Sequence, residues 1–340
     1  MVTLLGRTLN ELQIEAQAIG LPKFAGRQLA EWLYQKRATS FDVMTNISLQ
    51  GRQQLAERYD TGFRAPVAEA VSTDGTKKYL FPVLDGQYVE SVYIPDGDRA
   101  TLCVSTQAGC KMGCRFCMTG RLGFHGDLAA SDILNQVFSI PDADKLTNIV
   151  YMGEGEPCNN IDEVLRSIEV LTASWGCAWS PHRVTVSSVG YLPGLKRYLD
   201  ESECHVAISL HNPFHEERAL LMPVEKVYPI TQVIDLLKKY DWQHQRRVSF
   251  EYICFGGQND TRRHADALLR LLQDLPCRIN LIRFHTDPEH PDELLQGSDE
   301  KQMEWMRDYL TQRGITTTIR RSRGEDILAA CGMLVNSLKS

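Results

Sequence analysis

No stretch of about 18 uninterrupted apolar residues occurs in this chain, so nothing in it reads as a membrane-crossing helix. The first segment, "MVTLLGRTLNELQIEAQAIG", meets Arg7 and Glu11 too early for a secretory signal and lacks a small-residue cleavage site. Excess positive charge is missing too: 37 Lys and Arg against 43 Asp and Glu give a formal charge of -6. With a pI near 5.9, that excludes a generally basic nucleic-acid binder but not one with local patches. Candidates are "IRRSR" at 319–323 and the pairs Arg246–Arg247 and Arg262–Arg263, each of which, taken alone, is an ordinary solvated surface. Short repeats and low-complexity tracts are absent. These absences lead us to expect a soluble, cytoplasmic protein without membrane contact.

Cysteine, by contrast, is plentiful at ten residues. In reducing cytosol, clustered cysteines bind metals or do chemistry more often than they pair. "CKMGCRFCMTG" at 110–120 places Cys110, Cys114 and Cys117 at C-x3-C-x2-C spacing. Three thiolates close a tetrahedral zinc site only with a fourth ligand, for which His125 is the nearest candidate. In a [4Fe-4S] cluster they would instead leave one iron open to a substrate or cofactor. The other seven, Cys103, Cys158, Cys177, Cys204, Cys254, Cys277 and Cys331, mostly lie in apolar runs and read as small core residues.

The length suits one large α/β barrel with a small accessory domain, and 43% hydrophobic residues suffice for its core. Residues 1–65 read as helical from "LNELQIEAQAIG", "AGRQLAEWLYQKR" and "ISLQGRQQLAERY". Residues 66–100 change to period two, with turns at Asp85–Gly86 and Asp96–Gly97 between "KKYLF", "YVESVYI" and "ATLCVS", the signature of a β-hairpin or meander. From 101 to 340, strand-like runs ("TLCVS", "TNIVYM", "HRVTVS", "CHVAISL", "RVSFEYI", "RINLIRF") alternate with helical patterns such as "IDEVLRSIEVLTA" and "RRHADALLRLLQ". Six βα units predict a parallel sheet, too few for a closed eightfold barrel and suited to a partial (β/α)6 barrel, with "TTTIRRS" as a further strand. Polar and reactive residues follow the six strands: the cysteine cluster, "GEGEP", "SSVG", "SLHNP", "FGGQND" and "HTDPEH". In such a fold these loops converge on one mouth.

C-x3-C-x2-C after the first barrel strand resembles the signature of the radical S-adenosylmethionine superfamily, whose open iron holds the amino and carboxylate groups of that cofactor. Further blocks resemble the RlmN/Cfr family of RNA adenine methyltransferases, in its order: "RATLCVSTQAGCKMGCRFC", "MGEGEP", "RVTVSSVG", "AISLHNPFHEERALLMPVEKVYP", "FEYICFGGQND", "INLIRF" and "RRSRGEDILAACGML". The N-terminal helices also resemble that family's accessory domain. The resemblance implies a [4Fe-4S] cluster on Cys110, Cys114 and Cys117, S-adenosylmethionine as second cofactor, an electron donor such as flavodoxin, RNA as partner and a monomeric enzyme.

It also implies roles for single residues. Gly155, Glu156 and Pro157 would hold the methionine amine, although "GEPCNNIDEV" is equally a helix start. Ser187, Ser188, Ser209, His211 and His285 would contact the cofactor, although a lone strand-end serine is usually a turn residue. Cys331, a core residue by pattern, becomes a methyl carrier; Cys103 becomes its resolving partner, and Glu90 a further catalytic candidate. Arg320, Arg321 and Arg323 would grip RNA phosphates. The chain departs from the family pattern at Met118, Glu154, Cys158, Arg283 and His285. The expected reaction is methylation of carbon 2 of an adenine in 23S ribosomal RNA, with transfer RNA as a second substrate. Carbon 8, another RNA, or a non-enzymatic iron-sulfur or zinc RNA-binding protein are the alternatives.

Overall fold

In a computed structural model of the chain, residues 1–84, 86–242, 246–286, 292 and 294–334 are described. Asp85 of the first expected turn and positions 287–290 of the "HTDPEH" loop fall outside them. One ten-stranded sheet runs through the molecule. Its strands are β1 (Ala68–Val71), β2 (Lys77–Pro82), β3 (Tyr88–Asp96), β4 (Arg99–Cys103), β5 (Asn148–Tyr151), β6 (Val184–Ser188), β7 (His205–Ser209), β8 (Val248–Cys254), β9 (Cys277–Arg283) and β10 (Thr316–Ile319).

Their order in the sheet follows the chain. β1 to β4 pair antiparallel through tight turns; β4 to β10 pair parallel, with long connections between them. The partial barrel is therefore as expected, "TTTIRRS" included. The meander is not merely a lead-in, because β3 is hydrogen-bonded along β4 from Val92–Cys103 to Asp96–Arg99. Both faces of the central strand β7 are covered, with Val206, Ala207 and Ile208 all within 1% of full burial, as in helix-covered parallel sheets; the edge strand β10 keeps Thr316 and Thr318 exposed.

The N-terminal helices Leu9–Ala18, Ala25–Ala30 and Leu49–Arg58 form a separate layer. The first begins in a reciprocal Thr8–Glu11 capping box. This layer is fastened to the barrel by the Arg166–Glu11 ion pair, by Tyr34 against Trp175 at 5.9 Å and by Gln35 donating to the Gly176 carbonyl at 3.1 Å. Among the described residues no helix is long and apolar enough to cross a membrane.

Three barrel helices carry weak sequence signals: Ala130–Phe138, Leu192–Glu201 and His215–Leu221. The second contains Pro193 in its first turn and then Gly194. Tight packing accounts for that glycine: a Cβ there would lie 1.7 Å from the Cys158 carbonyl oxygen, just past the "GEP" loop. Gly194→Ala should lower stability by about 1–3 kcal/mol, as overpacking does, visible as an earlier denaturant midpoint; an unchanged midpoint would show that this contact relaxes freely.

Candidate active site

The C-terminal ends of the parallel strands open on a cavity of about 260 Å³. Cys103 ends β4; the cluster loop, Gly155 to Pro157, Ser187, Ser209, His211, His285, Arg320 to Arg323 and Cys331 all border the same space. Five of the six loops expected to converge contribute to this cavity; "FGGQND" does not, Gly256, Gly257 and Asp260 bordering a separate depression with Gln302 and Trp305.

Around Cys110, Cys114 and Cys117 the chain is pinched by two short paired strands, Gln107–Gly109 and Phe124–Asp127. The Cys110 N–H donates to the Gly123 carbonyl at 2.8 Å. Gly109 needs its left-handed conformation here (φ 72°), and a Cβ would strike that same carbonyl. Burial pushes the Cys110 thiol up to about 12. It pushes Cys114 well above its ordinary value, with its two neighbouring thiols adding repulsion. Cys117 is also raised by burial, while the N–H groups of Gly120 and Thr119 at the start of the next helical turn oppose the rise. Ionising all three thiols together needs a positive centre among them.

His125 does not join the three thiols: it is exposed, its Nε2 at 3.1 Å from the Leu122 carbonyl. Among the described residues no three His, Cys, Asp or Glu side chains gather as a ready single-ion site. Three soft thiols opening on one cavity, with the nearest imidazole turned away, fit an iron-sulfur cluster with one free corner.

Glu156 lies next to them, 2% exposed. Its own N–H donates to Gln107 Oε1 at 2.8 Å. Its carboxylate accepts the N–H groups of Cys158 at 3.0 Å and Val189 at 2.9 Å, joining the ends of β5 and β6. Burial raises its pKa, opposed by those hydrogen bonds. Gly155 (φ 96°) lets the loop lie flat on Gln107, where a Cβ would come within 2.5 Å. Pro157 opens a short helical turn through Asn160, so the cap and the cavity wall coincide.

Strand parity separates the serines. Ser187 and Ser209 border the cavity, but Ser188, one residue on and hence on the opposite face, is 1% exposed and does not. Its hydroxyl accepts the N–H groups of Gly190 at 3.0 Å and Tyr191 at 3.3 Å. The expectation that Ser188 contacts the cofactor is corrected accordingly: it is a turn residue. His211 is held in the left-handed region (φ 56°). Its Nδ1 accepts the Ile253 N–H at 3.0 Å, which puts the ring proton on Nε2. Burial, then Arg218, lowers its pKa to about 3, so the ring is a neutral donor.

Cys103 and Cys331 border the cavity together, both as free thiols, Cys103 half-buried and Cys331 exposed at its edge. Burial, then Cys331, lifts Cys103 to about 12; Cys331 is raised less, opposed by Arg320. Arg320 is held by Glu251 at 3.2 Å and lies 3.9 Å from the Met152 sulfur. Arg323 bonds Asp96 at 3.0 Å, and Arg321 is exposed at the rim. His285 Nε2 lies 2.8 Å from the Ser322 hydroxyl, and burial lowers its pKa. Glu90 does not border the cavity: on the same face of β3 as Val92 and Ile94, which do, it is fully buried, 3.1 Å from Lys78.

Glu251 is a site residue that sequence reasoning missed. It is 4% exposed in β8 and held by Asn280 at 2.8 Å as well as Arg320. One carboxylate inside the apolar run "RVSFEYI" was the available signal. Arg283, by contrast, points away and clasps Glu300 at 2.5 Å and the Arg320 carbonyl at 2.7 Å.

Family comparison agrees with this geometry. The model of the radical SAM superfamily matches residues 104–272, and that of the ribosomal RNA large subunit methyltransferase N-terminal domain matches residues 2–60. A probable dual-specificity RNA methyltransferase RlmN of Porphyromonas gingivalis is 59% identical, over 99% of this chain and 94% of its own. One from Bacteroides fragilis is 57% identical over 97% and 95%, and the dual-specificity RNA methyltransferase RlmN of Geobacter sulfurreducens is 37% identical over 99% and 93%. The crystal structure of a radical SAM methyltransferase from Sphaerobacter thermophilus superposes with a TM-score of 0.91 at 37% identity, covering 98% of this chain and 99% of that one.

Two outcomes are expected of the isolated protein. Anaerobic reconstitution should load about four irons and sulfides, and Cys110→Ala, Cys114→Ala or Cys117→Ala should each abolish loading; stoichiometric zinc without charge-transfer absorption would contradict the cluster. His211 takes its proton only near pH 3 when folded, against an ordinary value of 6.5. The unfolded chain therefore binds more protons between these values, and stability falls as pH drops through them. His211→Asn keeps an acceptor for the Ile253 N–H and tolerates the left-handed backbone. Its denaturation midpoint should fall less steeply with acid than that of the unaltered protein; equal slopes would refute the assignment.

Proposed function

The chain belongs to the RlmN family of radical S-adenosylmethionine RNA methyltransferases, and on that premise we propose that it methylates carbon 2 of an adenine in RNA. Its substrates are 23S ribosomal RNA and transfer RNA, in keeping with the dual specificity for which its relatives are named. The enzyme works as a cytoplasmic monomer that draws electrons from a donor such as flavodoxin.

Cys110, Cys114 and Cys117 hold the cluster, and the mouth formed by Gly155 to Pro157, Ser187, Ser209, His211 and His285 holds S-adenosylmethionine. Bound there, the two cofactors supply a methyl group and a hydrogen-abstracting radical. The chain's own contribution is the cysteine pair. Cys331 borders the cavity within the electrostatic reach of both Arg320 and Cys117, as a carrier serving both cofactor and substrate would have to. Carbon 2 of adenine is electron-poor and does not attack a sulfonium methyl; a carbon radical carried on the Cys331 sulfur adds to it without that barrier. Cys103, as a thiolate, would take the ring proton while the adduct gives up its one unpaired electron to the redox cofactor. That proton then passes to the methylene carbon as the Cys103 sulfur attacks Cys331 and the carbon–sulfur bond breaks, freeing the methylated base, and two electrons and two protons from outside reopen the disulfide to both thiols. The target adenine has to leave its stack to bring its ring carbon against a sulfur in the cavity, at a cost of a few kcal/mol. Arg321 and Arg323 at the rim are placed to hold the flanking phosphates.

The observation that carries this reading is the meeting of Cys103 and Cys331 in the cavity bordered by the three cluster cysteines. Mass spectrometry of ribosomal and transfer RNA from cells with and without the gene should show 2-methyladenosine lost on deletion; loss of 8-methyladenosine instead would move the target carbon. Cys103→Ala should stall with RNA joined through Cys331, and the adduct should vanish when Cys331 is also replaced. Freely turning over Cys103→Ala enzyme would overturn the resolving role.

A further inference from the structure

The segment that carries Cys331 has little regular structure of its own, only the short turn Glu325–Ile327. Leu328, three residues before the cysteine, has φ 52°, a left-handed backbone that a branched apolar residue rarely adopts. Something outside the segment has to hold it there. Upstream, the β1–β2 turn grips it: Ser72 Oγ donates to Asp326 at 2.6 Å, the Thr73 N–H to the same carboxylate at 3.1 Å, and the Gly324 N–H to Asp74 at 3.1 Å. Downstream, the Met118 N–H donates to the Gly332 carbonyl at 2.8 Å and the Thr119 hydroxyl to the Leu334 carbonyl at 3.0 Å, tying it to the cluster loop.

Between these ties lies Lys78 of β2, 0% exposed, its ammonium 3.1 Å from Glu90 and donating to the Leu328 carbonyl at 3.3 Å. A buried ion pair is weak evidence for stability, since desolvation offsets much of its attraction; its best-attested use is to specify one geometry among several. Here the donor meets the carbonyl of the strained residue itself.

We infer that Lys78, with Glu90 as its counterion, is a positioning residue for the methyl carrier. Through the Leu328 carbonyl, and alongside the independent tie of Ser72 and Thr73 to Asp326, it fixes where Cys331 stands relative to the cluster loop. This deepens the proposed function and rests on it for the identity of the carrier; the tethering does not depend on that reading.

The test is hydrogen exchange and product coupling on full-length, anaerobically reconstituted enzyme. In Lys78→Met and, separately, in the exposed Asp326→Ala, amides of Gly324 to Leu334 should exchange about tenfold faster while those of β5 to β9 keep their protection. Iron content should hold, and 5′-deoxyadenosine released per methylated adenine should rise several-fold. Lys78→Arg, which keeps charge and donors, should recover coupling. Unchanged exchange and coupling in both variants would overturn the inference, as would a Lys78→Met protein that loses iron and protection throughout while Asp326→Ala behaves as the unaltered enzyme. Unaltered enzyme that methylates no adenine would count against the functional reading alone, and the exchange data would still decide the tethering.

Discussion

Ser105 is the buried knot on which the site's geometry depends. Its hydroxyl donates to the Glu90 carbonyl at 2.6 Å and accepts the Glu154 N–H at 2.8 Å. Its backbone exchanges two bonds with the Gln136 amide at 2.9 Å each, and Glu154 returns to accept the Glu90 N–H at 2.8 Å. Four segments meet there: the meander, the exit of β4 toward the cluster, the loop after β5 and the helix Ala130–Phe138. All four residues are fully buried, and in a dry interior a bond left unmade costs more than a made one contributes. The web admits one arrangement, so Cys103, the cluster loop and the carboxylate loop cannot shift independently.

Above that knot the cavity disfavours charge on its own groups. Burial lifts Cys103 to about 12, raises Glu156 and lowers His211 to about 3. Arg320 is neutralised by Glu251. Neutral thiols and a neutral imidazole beside an internally paired Arg320–Glu251 suit radical chemistry, since the groups nearest the cysteine pair carry little uncompensated charge. Positive charge arrives with the cofactors, and the cluster thiols then ionise where they are needed.

Much of this was legible in the sequence. The barrel strands were, because they are short apolar runs set off by polar residues, as in "CHVAISL" and "RINLIRF". The gathering of Cys110, Cys114 and Cys117 on one loop at the cavity was, because three cysteines fall within eight positions. Ser188 was not, because only strand parity separates it from Ser187, and parity depends on register. Glu251 was hidden by the strand pattern around it, and Lys78 by the alternation of "KKYLF", which suggests a solvated face where the structure buries an ammonium. Leu192–Glu201 was obscured by Pro193 and Gly194, placed there by helix initiation and close packing. What local pattern could not give was long-range pairing: Lys78 with Leu328, Ser72 with Asp326, Arg320 with Glu251.

The account's central claim is that Cys331 carries the methyl group before RNA arrives, and the mass of the peptide containing it tests that most directly. In enzyme purified from cells active in RNA methylation, Cys331 should bear one methyl in place of its thiol hydrogen, while Cys103 bears none. An unmodified Cys331 in protein that nonetheless methylates adenine through many turnovers would contradict the account.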